Sequence, residues 1–233
     1  MGALTMTPIG VVRTPFREKF GIPRQGGLVD EVRGVVELTP PYDREEAWRG
    51  IGGFSHLWLI TWFHAAKGEA GLTVRPPRLG GNARLGVFAT RAPYRPNPIG
   101  LTLVRLEALE RVGQGVRLIV RGADLLDGTP VLDVKPYLPY ADALPEATGG
   151  FAPEAPAARL RVAWTDRARG QCVHESGRHP DLAGLIEGVL ARDPRPAYQV
   201  EDAARVYGVR LYALDVRWSV TGGVVTVLEV VPA

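Results

Sequence analysis

Arg91-Ala92-Pro93-Tyr94-Arg95-Pro96-Asn97-Pro98-Ile99-Gly100-Leu101 is the stretch on which the fold turns. Pro93, Pro96 and Pro98 each lack an N–H donor and hold φ near about −65°. Each also biases the residue before it (Ala92, Arg95, Asn97) toward extended conformation. The segment is therefore neither a helix nor a central strand. It reads as a stiff polyproline-like arch, released by Gly100 into a strand that starts at Leu101. Two guanidiniums, a phenol and an amide ride on it. Groups held this way lose little ordering entropy when a ligand binds. A solvent-facing, proline-rich loop cap accounts for the same residues equally well.

Outward from the arch the pattern is β. Leu85 to Thr90 reads as the strand feeding it and Leu101 to Leu109 as the strand leaving it. Pro8 to Thr14, Val32 to Leu38, Val116 to Val120 and Val131 to Val134 are further short strands. Phe54 to His64 is densely apolar and aromatic, which favours a strand buried on both faces, with a buried helix as the alternative. Pro41 to Gly50 reads as one short helix, stopped by Gly50. Arg17 to Gly27 is a loop, and Asp124-Leu125-Leu126-Asp127-Gly128-Thr129-Pro130 is a turn. About seven short strands with turns between them predict a closed β structure, a barrel or sandwich.

Ala141 to Ala158, rich in Ala, Pro and Gly, reads as a linker. Beyond it the grammar changes. Leu160, Val162 and Trp164 alternate as a strand, and Leu182, Leu185, Ile186, Val189 and Leu190 share one helical face. Val209 to Val220 reads as a strand joined to Val224–Val231 by a Thr221-Gly222-Gly223 hairpin turn. The expected fold is mainly β: an N-terminal barrel-like domain over 5–143, then a smaller α+β domain over 151–233.

Composition narrows the chemistry. The 233 residues are 45% hydrophobic and 23% charged, ordinary values for a globular chain. A single cysteine, Cys172, rules out an intramolecular disulfide and any Cys-rich zinc site. No membrane-length or leader-like apolar run is present, so a cytoplasmic location is expected. Net charge is +3, and lysine occupies only Lys19, Lys67 and Lys135 among 28 basic residues. Arginine suits phosphates, although a GC-rich genome writes basic residues as Arg too. No Gly-x-Gly-x-x-Gly or Walker-type loop occurs; Gly80-Gly81-Asn82-Ala83-Arg84-Leu85-Gly86 has the wrong spacing. His174-Glu175 with His179 misses zinc-protease spacing by one residue. Gly53-Phe54-Ser55-His56-Leu57 lacks the second glycine of a nucleophile elbow. Metal and Ser-hydrolase chemistry are disfavoured.

What remains is polar groups on stiff loops and strand ends: Arg24, Gln25, His64, Arg91, Arg95, Asn97, Asp124, Asp127, Asp133, Lys135, Tyr137 and Tyr140. His64 ends an aromatic strand, where a packed histidine is the simpler reading. Asp124 and Asp127 also serve ordinary turn chemistry. Asp133 and Lys135 are two apart, so they share a strand face. Between apolar neighbours they read as a buried pair, costly for stability alone. These residues outline a barrel with a polar rim for a charged, aromatic ligand, without naming a reaction.

Arg13 to Gly27 (RTPFREKFGIPRQGG), Gly53 to Trp58, Val74 to Gly100 and Asp124 to Tyr140 (DLLDGTPVLDVKPYLPY) resemble the TrmO (TsaA-like, YaeB) family. The DPRPAY run from Asp193 and Asp215-Val216-Arg217-Trp218 resemble the C-terminal domain of its bacterial members. The resemblance spans essentially the whole chain. It implies an S-adenosylmethionine-dependent tRNA methyltransferase on a single β-barrel-like sheet, which fits the missing glycine fingerprint. The implied product is N6-methylated threonylcarbamoyl-adenosine at position 37, beside the anticodon of threonine tRNAs. Homodimers with a cofactor site near the subunit contact are also implied.

Carried over, the cofactor positions are Pro23, Arg24, Gln25, His64, Ala65 (through its backbone), Arg91, Leu101, Asp124, Leu125, Leu126 and Asp127. A hydrogen-bond acceptor on the adenine N6–H would aid transfer. Asp133 is the candidate acceptor or else structural, with Lys135 orienting it and Tyr137 stacking on the base. Arg75, Arg78, Arg84, Arg95 and Arg195 are candidates for phosphates of the anticodon loop, whose bases are already single-stranded. A non-catalytic RNA-binding barrel is the competing class.

Overall fold

The computed structural model describes residues 4–68, 70–80, 82–158, 160–195, 202 and 204–233. In chain order its strands are β1 (Gly10–Arg13), β2 (Arg33–Leu38), β3 (His56–Trp62), β4 (Thr73–Val74), β5 (Leu85–Gly86), β6 (Ile99–Val112), β7 (Gly115–Arg121), β8 (Thr129–Pro136), β9 (Arg161–Trp164), β10 (Tyr207–Leu211), β11 (Leu214–Thr221) and β12 (Val224–Pro232). The helices are α1 (Pro139–Asp142), α2 (Asp166–Glu175) and α3 (Leu182–Ala191).

Six strands close a barrel in the order β1-β2-β7-β6-β3-β8, with β8 pairing back to β1 and every pair antiparallel. Closure leaves no strand edge unpaired. Strand alternation puts Val12, Val36, Leu57, Leu59, Val104, Leu118, Val120 and Val131 inside, all at most 1% exposed. A four-stranded sheet, β10-β11-β12-β9, forms the C-terminal part, with β9 parallel to β12 and α2 and α3 beside it. One hydrophobic cluster runs through both parts, so Phe16 of the barrel side and Leu211 of β10 are buried together and bridge each other. The expected fold class, mainly β with a barrel and a smaller α+β part, is the one observed.

Several local readings change. Pro41 to Gly50 holds only a 3₁₀ turn, Glu45–Trp48, because Gly50 turns left-handed at φ 90° and Trp48 Nε1 is tied to Tyr42 O at 2.7 Å. β3 is buried on one face only, since Trp58 and Ile60 point outward half-covered and Trp62 lies exposed. Leu85 to Thr90 is a two-residue strand paired to β4, then a 3₁₀ turn at Val87–Ala89. The expected single strand over 209–220 is a hairpin, broken where Tyr212 takes φ 56° and its N–H bonds Pro15 O at 2.6 Å. Helix α2 escaped the periodicity reading. Its buried positions are Ala168, Cys172 and Glu175, too small or polar to print an apolar stripe, although Thr165 caps it by accepting from Ala168 N at 3.1 Å. Asp133 and Lys135 pair at 3.1 Å but are 49% and 64% exposed, so the expected buried pair is a surface one. Their strand face points out of the barrel, beside Ile60 and Trp58.

Candidate functional site

Four buried threonines ring one end of the barrel, and three of them hold a single turn. Thr102 Oγ1 donates to Asp124 Oδ1 (2.8 Å), Thr14 Oγ1 to Leu125 O (2.8 Å) and Thr129 Oγ1 to Leu126 O (2.7 Å). Hydroxyls inside a barrel need acceptors, and the 124–126 turn supplies them. The fourth, Thr61 Oγ1, is buried without a partner among the described residues. Burial raises the Asp124 carboxyl above its ordinary pKa, opposed by the Thr102 hydroxyl, backbone N–H groups of Asp124 and Gly26, and the nearby Arg91 charge.

Pro23-Arg24-Gln25 lies against this turn because Gly26 follows it. A Cβ on Gly26 would sit 2.7 Å from Leu103 O, so only glycine lets the loop approach β6 so closely. Upstream the same loop is tied to the C-terminal sheet, where Arg210 N donates to Glu18 Oε1 at 3.2 Å. The proline arch is fixed from beneath: Pro98 O accepts from Phe63 N (2.8 Å) and Asn97 O from Ile99 N (2.7 Å). Arg91 Nη1 reaches across to Gln25 Oε1 (2.6 Å).

These segments enclose one cavity of ≈ 250 Å³, walled by Ile22, Phe63, Pro93, Leu125 and Leu126. Pro23, Arg24, Gln25, His64, Ala65, Arg91, Asp124, Leu125 and Leu126, all singled out from sequence, line it together. Leu101 and Asp127 do not. Leu101 points out of β6 and is 55% exposed. Asp127 turns away to accept from Thr14 N (3.0 Å) and pair with Arg17, facing a separate cleft with Arg13, Arg178, His179 and Tyr212. Lys19, Phe63 and Thr129 were missed, and they line the cavity. Lys19 carried a signal: it is one of three lysines in a chain that otherwise writes Arg.

Asp133, Lys135 and Tyr137 are absent from that lining. They belong to the outer barrel face, where Tyr137 lies 6.0 Å from the Trp58 ring. Arg75, Arg78 and Arg84 stand exposed on the β4–β5 arm, and Arg95 is half-buried with Nη1 bonded to Thr90 O at 3.1 Å. Arg195 is different. Its side chain is 9% exposed and bidentate to Asp193 at 2.7 and 2.9 Å, so it is an interior residue and not a phosphate contact. Pro196, Ala197 and Tyr198 of that run lie outside the described residues.

The cavity suits a ligand with a flat apolar portion and few charges. Apolar walls enclose one carboxylate, Asp124, and three cations, Lys19, Arg24 and Arg91. Charged groups rimming apolar walls suit S-adenosylmethionine: an adenine to sandwich, a sulfonium to offset, and one carboxylate to hold.

Residues 11–143 match the family model of the tRNA-methyltransferase O N-terminal domain, and residues 157–233 match that of the TrmO C-terminal domain. The chain is 48% identical over 223 residues to the tRNA (adenine(37)-N6)-methyltransferase of Escherichia coli K12, covering 95% of each. It is 54% identical over 218 residues to a putative S-adenosylmethionine-dependent methyltransferase of Pseudomonas aeruginosa, covering 92% of this chain and 91% of the other. The crystal structure of TrmO from Pseudomonas aeruginosa superposes with a TM-score of 0.84 at 42% identity, covering 100% of this chain and 99% of that one.

Proposed function

This chain belongs to the tRNA-methyltransferase O family, and we propose that its substrate is threonylcarbamoyl-adenosine at position 37 of threonine tRNAs, yielding the N6-methylated product. It is an S-adenosylmethionine-dependent tRNA (adenine-37-N6)-methyltransferase. The observation that carries the site is convergence: the PRQ loop, the arch and the Asp124 turn, distant in sequence, wall one cavity.

S-adenosylmethionine supplies a methyl group activated by its sulfonium. The chain's own residues bind, orient and take a proton. Arg24, Gln25, Arg91 and Asp124 would provide polar contacts to it, and Leu125, Leu126 and Phe63 would offer apolar walls to its adenine. Holding the target N6 near the methyl carbon supplies most of the rate. Forming the N6–CH3 bond would break the S–CH3 bond and leave a neutral thioether; Asp133 would accept the N6 proton, Lys135 would hold that carboxylate, and Tyr137 would stack on the base. Arg75, Arg78, Arg84 and Arg95 meet phosphates of the anticodon loop. The setting is cytoplasmic.

The active unit is a homodimer. Trp62, Ile99 and Leu101 form an exposed apolar strip at 46%, 40% and 55%, on the outer face that carries Asp133 and Lys135. The strip leads into the arch that rims the cavity. A second copy on this face covers the strip and brings one subunit's Asp133, Lys135 and Tyr137 toward the other's cavity. No helix among the described residues is long and apolar enough to cross a membrane.

Two measurements test this reading. Methyl incorporation is expected into bulk tRNA carrying threonylcarbamoyl-adenosine and to fall at least tenfold on tRNA from cells unable to make that modification. Equal incorporation would refute the modified substrate. Leu101→Glu is expected to convert a dimer to a monomer by sedimentation and abolish transfer; a wild-type chain that sediments as a monomer at full activity refutes the dimer.

A further inference from the structure

We propose that Lys19 is the anchor for the α-carboxylate of S-adenosylmethionine, a role that rests on reading the 250 Å³ cavity as the cofactor site. Three cations line that cavity, and the ligand brings one carboxylate for them to share. Arg91 is committed elsewhere: it donates to Gln25 Oε1 at 2.6 Å and its charge acts on Asp124. Arg24 lies exposed at the rim, with no fixed side-chain bond to aim it among the described residues.

Lys19 is aimed. Its Nζ donates to Tyr94 Oη at 2.9 Å and to Ala65 O at 3.1 Å, and it stands 5.3 Å from the Tyr94 ring centroid. An ammonium has three N–H donors in a tetrahedral set. Two fixed acceptors set the direction of the third. No carboxylate pairs with Lys19 among the described residues, and the adjacent Glu18 turns away to Arg210 N. The third donor therefore remains for a ligand, on a group already oriented by its two bonds, which lowers the ordering cost of binding.

Residue choice supports the assignment. The planar guanidinium fork presents coplanar donors suited to a flat acceptor pair, whereas a carbonyl, a phenol and a carboxylate around one point need a compact tetrahedral donor. This chain uses lysine at only three positions, and one of them is here. Lys19 also fastens the arch, through Tyr94, to the Phe63–Ala66 segment. Its charge and its fastening role are separable by experiment.

The test is calorimetric. S-adenosylmethionine and its decarboxylated form, which keeps the adenosine, sulfonium and amine, are titrated into the wild-type chain, Lys19→Met, Lys19→Gln and Arg24→Met. Both Lys19 variants are expected to weaken S-adenosylmethionine binding about tenfold or more and to change binding of the decarboxylated form less than twofold. Equal weakening of both ligands reduces Lys19 to a fastener of the arch and overturns the anchor. So does unchanged binding of both, or a carboxylate-selective loss in Arg24→Met instead. Arg91→Ala serves as the reference for the cavity itself. If it leaves S-adenosylmethionine affinity at the wild-type value, the cofactor sits elsewhere, and that result is distinct from a Lys19 failure in a cavity that responds to Arg91→Ala.

Discussion

Arg91 Nη1 and Gln25 Oε1 are bonded at 2.6 Å, joining two loops that lie 66 residues apart in sequence. This contact closes the cavity between the arch and the PRQ loop. A hydrogen bond to a charged group contributes about 1.5–3 kcal/mol. Gln25→Ala and Arg91→Ala are each expected to weaken S-adenosylmethionine binding by roughly tenfold or more. Because they remove the same bond, the double variant should lose much less than the sum. Additive losses in calorimetry would show that the two residues act on the ligand separately.

Asp124 sits in the cavity with its carboxyl pKa raised by burial. A native pKa above the unfolded one means the folded chain holds the proton more tightly, so stability is greatest below the unfolded pKa and falls as pH rises through the native one. Asp124→Asn cannot ionise, and its amide oxygen still accepts from Thr102. The melting temperature of Asp124→Asn minus that of wild type is therefore expected to increase from below pH 4 to pH 7. Cofactor affinity should rise over the same range, because the ionised Asp124 carboxylate offsets the sulfonium. A difference independent of pH would mean the carboxyl titrates alike in both states.

Gly100 closes the arch against the barrel. A Cβ there would lie 2.4 Å from Thr61 Oγ1 and 2.8 Å from Phe63 Cζ. Overpacking of this kind costs about 1–3 kcal/mol. Gly100→Ala is expected to lower the melting point by several degrees and, by displacing Phe63 from the cavity wall, to weaken cofactor binding. Thermal unfolding and calorimetry on one preparation check both. Loss of stability at unchanged affinity would confine the effect to the barrel.

The β4–β5 arm carries Arg75, Arg78 and Arg84 into solvent. Each phosphate neutralised on a single strand steepens the salt dependence of binding by about 0.7 in logarithmic slope. Replacing all three by Ala should flatten the slope for tRNA by about 2 and leave S-adenosylmethionine affinity unaltered. An unchanged slope would remove the arm from the RNA-binding surface.

Much of this molecule was legible from local chemistry. Three prolines between apolar runs fixed the arch, alternation marked the barrel strands, and the glycines around Pro23-Arg24-Gln25 marked a loop. Helix α2 was illegible, because its buried face is Ala168, Cys172 and Glu175. The break at Tyr212 was illegible as well, since it depends on Pro15, far off in sequence.

By itself the sequence determined which segments are stiff, which alternate and which polar groups they carry, because backbone sterics and side-chain periodicity act over a few residues. Only the tertiary structure decided which of those groups meet. Barrel closure set inward against outward on β3, β6 and β8, sending Asp124 and Thr102 to the cavity end and Asp133 and Lys135 to the outer surface. That choice depends on strand register across the whole ring, where a shift of one residue reverses every side chain.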